Sequence, residues 1–329
     1  MRIAINGLGR IGRLLLRRII HHPMLEIVAI NDLMGPENLA YLLKYDSIYG
    51  TYSEEIGYKN GQLMVGNLAL KVYQQPDPAQ LPWAELGVDV VIECTGSFST
   101  GPGATLHLQA GAKKVMLSTT GSPEVPLFIY GYNQHLLAAG ANILSPGGCM
   151  TNCSVPILDI LGQFGIESAQ IHFLHSYTSR QQLVDAPHKQ YRRGRAAAES
   201  IIPVEIDLGE SLERLMPQLN GKVSAISTRI PVANGALGDF TVQLQQDITV
   251  AQIRQAFKDA AQHKYQNVVA YTTEPLVSLD VKGNTHSSVV EAPLISVVGR
   301  QVKIFAWFDN EYGYTSRIMD WIIYWGQRK

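Results

Sequence analysis

Cysteine is scarce in this 329-residue chain: Cys94, Cys149 and Cys153 form an odd set without the C-x2-C spacing of a thiolate metal site. That excludes a disulfide-stapled secreted framework and reads as a reducing, cytoplasmic compartment with no bound metal. An excess of one charge is also missing. Lys plus Arg number 27 against 28 Asp plus Glu, a formal net charge of -1, so nothing draws the chain toward nucleic acid or an anionic membrane. The basic run Tyr191, Arg192, Arg193, Arg195 is accordingly read as a loop that packs against a cofactor or a neighbouring subunit. No apolar run approaches the roughly 20 residues of a membrane helix. The opening MRIAINGLG reads straight into a strand and a turn, not into a basic and then apolar leader. Repeats and low-complexity linkers are absent too.

What remains is an ordinary globular composition, 46% hydrophobic and 17% charged, at a length where two domains are expected. Strand 2–6, a glycine turn, an amphipathic helix over 11–22 and strand 26–31 make a parallel crossover unit. Further apolar runs at 88–94, 114–118 and 142–145 extend it to a doubly wound parallel sheet over residues 1–148. Beyond that the texture changes. A helix from Asn152 to about 164 precedes strands expected at 169–177, 222–230, 240–244, 276–279, 288–290 and 301–308, with Thr249 capping a helix. The fold class is thus α/β: a Rossmann domain, 1–148, plus an α+β domain with a mixed or antiparallel sheet, 149–314. The apolar helix over 315–329 is expected to return to the first domain.

GLGRIG, with Gly7, Gly9 and Gly12, lies between strand and helix. These glycines allow a tight turn, close approach of a pyrophosphate and helix-on-strand packing. Asp32 ends the second strand 20 residues past Gly12, where a carboxylate accepts hydrogen bonds from an adenosine ribose and repels a 2'-phosphate. Leu33 follows with no cation, so the pattern favours NAD. Cys149, in PGGCMTNC, opens a helix whose free N–H groups and dipole favour a thiolate. A lone cysteine is more often a small buried hydrophobe, and Cys153 has the apolar neighbours for that role. His175 shares a strand face with Ile171 and Phe173, while His172 points the other way. A Cys149–His175 pair would allow thiolate attack on a carbonyl, but spacing alone leaves their adjacency open.

Taken in order, INGLGRIGR, Asp32, ECTG (Glu93 to Gly96), CMTNC, HSYT, RRGRAA, STRIP, EPLVS, THSS and WFDNEYGY resemble the glyceraldehyde-3-phosphate dehydrogenase family along essentially the whole chain. The resemblance implies a homotetramer with one NAD per subunit, acting on a phosphorylated aldose. It implies Cys149 as a nucleophile passing through thiohemiacetal and thioester, and His175 as the base. For the cofactor it implies Gly7, Gly9, Arg10, Ile11, Gly12, Asp32, Thr95, Gly96, Phe98, Ser118, Asn310 and Tyr314, with Pro187 like the NAD-preferring form. Thr178 and Arg229 match the site for the substrate's own phosphate. Arg180 is either a second cation for a longer substrate or a solvated charge.

The departures sit beside the nucleophile. Gly148 and Met150 flank Cys149 where the family carries hydroxyls, and VEID, Val204 to Asp207, follows IIP where the phosphorylating enzymes carry Ser-Thr-Gly. Loss of donors and arrival of Glu205 and Asp207 would weaken inorganic phosphate, leaving water to cleave the thioester. IIPVE and the short DAPHKQYRR loop resemble the D-erythrose-4-phosphate dehydrogenase branch. The leading expectation is oxidation of D-erythrose 4-phosphate to 4-phosphoerythronate. The alternatives are a phosphorylating glyceraldehyde-3-phosphate dehydrogenase and an NAD-binding paralogue with little catalysis.

Overall fold

The structure, a computed structural model, describes residues 1–327. The elements run β1 (Arg2–Asn6), α1 (Arg10–Ile19), β2 (Glu26–Asn31), α2 (Pro36–Lys44), β3 (Ile56–Lys59), β4 (Gln62–Val65), β5 (Leu68–Tyr73), β6 (Val90–Glu93), α3 (Gly101–Gln109), β7 (Lys114–Leu117) and β8 (Ile143–Leu144). They continue with α4 (Cys149–Gly162), β9 (Ile166–Ser176), β10 (Ile202–Val204), α5 (Leu208–Leu215), β11 (Val223–Ile230), β12 (Ala236–Leu244), α6 (Val250–Gln262), β13 (Val269–Thr272), β14 (Ser288–Glu291), β15 (Ser296–Val298), β16 (Gln301–Phe308) and α7 (Tyr312–Gln327). Two compact units result. The first takes Met1–Phe128, His135–Gly148 and the chain from Arg317 onward; the second takes Ile129–Gln134 and Cys149–Ser316. Among the described residues no helix is long and apolar enough to cross a membrane.

The first unit's sheet has the order β3-β4-β5-β2-β1-β6-β7-β8. From β5 to β8 neighbouring strands are parallel, and the chain order reverses between β1 and β6. In such sheets the crevice beyond the carboxyl ends at that reversal is where ligands bind. Ile3, Ala4 and Ile5 of β1 are fully buried, as expected of a parallel strand covered on both faces. The antiparallel β3-β4-β5 edge is an addition to the parallel sheet expected from sequence. Its first hairpin turns at Asn60–Gly61, both with positive φ, the dipeptide that suits a two-residue hairpin. Trp321 and Trp325 of α7 are buried, Trp321 beside Phe128, and the Trp325 carbonyl accepts a bond from Lys114 Nζ. The terminal helix expected over 315–329 is α7, with residues 328 and 329 outside the described residues.

The second unit is built on a mixed sheet ordered β10-β11-β9-β12-β16-β14-β13, with β15 paired to β16. Alternation sorts its side chains: Ile171, Phe173 and His175 on β9, Phe240 and Val242 on β12, and Ile304, Ala306 and Phe308 on β16 are buried. Phe173 meets Phe240 and Phe308 edge-on at 5.8 and 5.7 Å. Leu237, Phe305 and Trp307, at the intervening positions, are only partly covered. Helices α4, α5 and α6 pack on this sheet, and a Thr249–Gln252 capping box starts α6. The strand expected at 276–279 is not formed. Pro275 lacks a donor, Asp280 takes the Val277 N–H at 2.7 Å, and a 3-10 turn over Ser278–Val281 leaves Val277 and Leu279 exposed.

Candidate active site

At the strand-order reversal of the first unit lies a cavity of about 410 Å³ lined by Gly7, Gly9, Asp32, Thr95 and Phe98 among others. Gly7 has φ +95°, open to glycine without strain, and a Cβ at Gly12 would run into the Gly7 carbonyl oxygen. A Cβ at Gly9, by contrast, would meet nothing within 4 Å: this face is open to a ligand. The Asp32 carboxylate accepts the N–H groups of Leu8 and Met34, which fixes it at the end of β2. Leu33 beside it is exposed and brings no charge. A glycine cradle at a helix start with one fixed carboxylate fits a dinucleotide with free ribose hydroxyls. Ser118 is tied to the same floor through its N–H to the Glu93 carbonyl, 2.9 Å. The Arg10 side chain turns instead to Asp46, 2.7 Å.

In the second unit Cys149 is the first residue of α4, three positions before the helix start expected from sequence. Its Sγ stands 3.7 Å from His175 Nε2. Adjacency, which spacing left open, is thereby established. His175 Nδ1 lies 2.7 Å from the Ser176 carbonyl oxygen, which can only accept, so the ring proton sits on Nδ1 and the Nε2 lone pair faces the thiol. Burial pushes the Cys149 thiol up, against the pull of Arg229 and of the Met150 and Cys149 N–H groups. Burial first, and Arg229 second, push His175 down to about 3. The resting pair is a neutral thiol beside a neutral imidazole.

The histidine shift has a measurable consequence. The folded imidazole stays neutral between its ordinary 6.5 and about 3, whereas the unfolded one takes a proton below about 6.5. The unfolded state binds more protons in that window, so stability falls as pH is lowered through it. At about 1.4 kcal/mol per pH unit, acidifying to about pH 4 is expected to cost about 3 kcal/mol through this residue. Urea midpoints of wild type and His175→Phe, measured against pH, check it: the variant's acid limb is expected to be shallower.

Arg229 lies on β11 directly opposite His175 on β9. It is 7% exposed, its Nη1 reaches the Ser176 carbonyl at 3.4 Å, and its Nε has no hydrogen-bond partner among the described residues. Burial lowers it to about 10, with Arg193 and Arg180 adding repulsion and Cys149 opposing it. Thr178 donates through N and Oγ1 to Gln181 Oε1 at 2.9 and 3.0 Å, and the buried Gln181 Nε2 is unpartnered among the described residues. Arg180 is exposed but within electrostatic reach of both other guanidinium groups. Arg193, expected from sequence only in a packing loop, is 7% exposed with an Nη1 unpartnered among the described residues. Buried donors left unpaired are costly, and Arg229, which acts on the Cys149 thiol and is itself repelled by Arg193 and Arg180, offers such a donor to an anion. Burial of a cation inside a local RRGR run leaves no trace in periodicity, so this residue was missed.

Asn310 is buried, and its Oδ1 accepts from Ser176 Oγ and Gly235 N at 3.1 and 3.0 Å. Tyr314 is buried in the first turn of α7. Cys153 is fully buried, and His172 bonds Thr228 Oγ1 at 2.8 Å on the other side of β9. Among the described residues no cluster of His, Cys, Asp and Glu has the geometry of a metal site. Val204 and Glu205 share with Lys189 and Arg193 the lining of a cavity of about 340 Å³ that does not include Cys149 or His175. A carboxylate thus stands among the cations there.

A Rossmann unit with a nucleotide cradle, followed by a sheet unit presenting a thiol–imidazole pair, defines an NAD-dependent dehydrogenase that works on aldehydes. Residues 1–101 match the NAD binding domain of glyceraldehyde 3-phosphate dehydrogenase and residues 148–310 match its C-terminal domain. The chain is 40% identical over 326 residues to glyceraldehyde-3-phosphate dehydrogenase 1 of Bacillus cereus, covering 98% of each chain. It is 39% identical over 327 residues to glyceraldehyde-3-phosphate dehydrogenase 1 of Bacillus subtilis (98% of each). With glyceraldehyde-3-phosphate dehydrogenase 1 of Kluyveromyces lactis it shares 41% over 324 residues (97% of this chain, 98% of the other). The chain belongs to the glyceraldehyde-3-phosphate dehydrogenase family, and its cofactor is NAD.

Proposed function

We propose that the protein oxidises the aldehyde of a phosphorylated aldose through a thioester on Cys149, with D-erythrose 4-phosphate as substrate and the free acid as product. The observation that carries the chemistry is the 3.7 Å approach of Cys149 Sγ to an imidazole whose lone pair faces it. His175 takes the thiol proton as sulfur adds to the carbonyl carbon and passes it to the developing oxyanion, giving a thiohemiacetal whose hydroxyl is turned toward the backbone N–H groups that open α4. In the first unit the Gly7–Gly12 turn, Asp32, Thr95, Gly96, Phe98 and Ser118 would hold NAD, which would supply the hydride acceptor. Loss of hydride and of the hydroxyl proton, the latter to His175, leaves the thioester. Water then adds to the acyl carbon and Cys149 departs as the thiol. Arg229, Thr178 and Arg180 hold the substrate's phosphate; a planar guanidinium matches it with paired donors.

The water step rests on the surroundings of the thiol. Gly148 and Met150, the chain neighbours of Cys149, carry no hydroxyl to offer an incoming inorganic phosphate. Self-association into a tetramer is supported by the partly uncovered Leu237, Phe305 and Trp307 on the second sheet and by exposed Leu183, Val184 and Tyr191. A second reading, phosphorylating oxidation of glyceraldehyde 3-phosphate, is favoured by the names of the relatives. The test is NADH production with each aldose phosphate, with and without inorganic phosphate. The expected result is faster turnover of erythrose 4-phosphate and less than a two-fold response to millimolar phosphate. A steep, saturable rise with phosphate would establish the second reading.

A further inference from the structure

Glu93 ends β6 beneath the cavity of the first unit, 1% exposed, and is not among the cavity's lining residues. Every hydrogen bond around it points inward. Its Oε1 accepts from Thr95 N at 2.7 Å and from Thr95 Oγ1. Its Oε2 accepts from Asn6 Nδ2 at 2.5 Å and faces His107 Nε2 at 3.1 Å. The indole N–H of Trp83 donates to His107 Nδ1 at 3.1 Å. Because an indole nitrogen can only donate, Nδ1 is the unprotonated nitrogen and Nε2 carries the proton toward Glu93. On the other side the chain continues with the same polarity: Asn31 Nδ2 donates to Asn6 Oδ1 at 2.6 Å, and Gln75 N donates to Asn31 Oδ1 at 2.9 Å.

Two strings of directed bonds therefore converge on one carboxylate, and such strings polarise one another. They cross the carboxyl ends of β6, β1 and β2 and the turn after β5, the floor of the cavity. Asn6, Asn31, Gln75 and Thr95 all line it, whereas Trp83, His107 and Glu93 do not. We infer that Glu93, His107 and Trp83 are positioning residues for NAD: they touch no cofactor themselves but hold Thr95 and the Asn6–Asn31 pair in the orientation the dinucleotide needs. His107 is the director. It is fully buried, sits on α3, and bridges that helix to β6 by presenting a donor to Glu93 only because Trp83 occupies its other nitrogen.

The inference rests on the cavity being the NAD site, so the test separates the two. NAD affinity is measured by calorimetry on His107→Phe, His107→Gln and Asp32→Ala, together with steady-state constants for NAD and for the aldose phosphate that the wild type turns over. His107→Phe removes both bonds and keeps the ring. It is expected to raise the NAD dissociation constant and KM about 10-fold with kcat and the aldose KM unchanged. Gln at 107 can accept from Trp83 and donate to Glu93, so His107→Gln is expected to stay within about two-fold of wild type. An unchanged NAD affinity in His107→Phe, an equal loss in His107→Gln, or a fall in kcat with no change in NAD affinity overturns the inference. Should His107→Phe not fold, Trp83→Phe, which deletes only the indole N–H donor and keeps an aromatic ring, must weaken NAD several-fold, and no weakening overturns it as well. Asp32→Ala retaining full NAD affinity would instead overturn the assignment of the cavity.

Discussion

Replacing Cys149 with serine is expected to lower NADH production by a factor on the order of 10⁴ while leaving the NAD dissociation constant within a few-fold of wild type. The imidazole 3.7 Å away, held down to about 3 by burial and by Arg229, is a weak base. It can take a proton from a thiol as sulfur attacks, but an alcohol is several pK units harder to ionise. A serine ester would also be a poorer acyl donor than a thioester. NAD affinity is spared because the cavity formed by the Gly7–Gly12 turn and Asp32 does not include residue 149. Initial rates and NAD titration of the purified variant check both halves. Activity within ten-fold of wild type would remove Cys149 from the mechanism.

Replacing Arg229 with leucine is expected to raise KM for the aldose phosphate by on the order of 10²-fold, with a smaller fall in kcat. The side chain is 7% exposed and its Nε is unpartnered among the described residues, so a phosphate bound there forms charge-assisted bonds out of water. Two such bonds at about 1.5 to 3 kcal/mol each account for that factor. Arg229→Lys keeps the charge without the planar fork and is expected to fall between the two. The specific control is an unphosphorylated aldehyde, whose already poor KM should barely move. A uniform loss on both substrates would mean that Arg229 acts on the reactive pair and not on the phosphate. Some effect on the pair is expected in any case: without this cation the Cys149 thiol rises further, and alkylation by iodoacetamide should need higher pH.

The cofactor half was the more legible part, because its signals are local. Gly7, Gly9, Gly12 and Asp32 lie within one crossover unit, so the turn geometry that holds a pyrophosphate is written in 26 consecutive residues. The β3-β4-β5 edge escaped because its strands are short and of mixed burial, which blurs the period-two pattern. In the second unit the apolar run 276–279 favours a strand from sequence, but it follows Pro275, which has no N–H to pair, and the Asp280 side chain takes the Val277 N–H. His107 and Trp83 were invisible as a pair: one lies on a helix, the other in a loop, and only folding brings indole to imidazole.

By itself the sequence determined the two-domain α/β class, the nucleotide turn, the preference for an unphosphorylated ribose and, through motif order, the family. It also named Cys149 and His175 as chemically suited to each other. What only the tertiary structure decided is that they meet, that the Nε2 lone pair of the imidazole faces sulfur, and that Arg193, like Arg229, is a buried guanidinium with one nitrogen unpartnered among the described residues. The reason is physical. A strand, a helix start or a glycine turn follows from bonds between near neighbours, whereas a thiol on α4, an imidazole on β9 and a guanidinium on β11 share a site only once their sheet has paired and a core has closed over it. Burial then sets which of them carry charge.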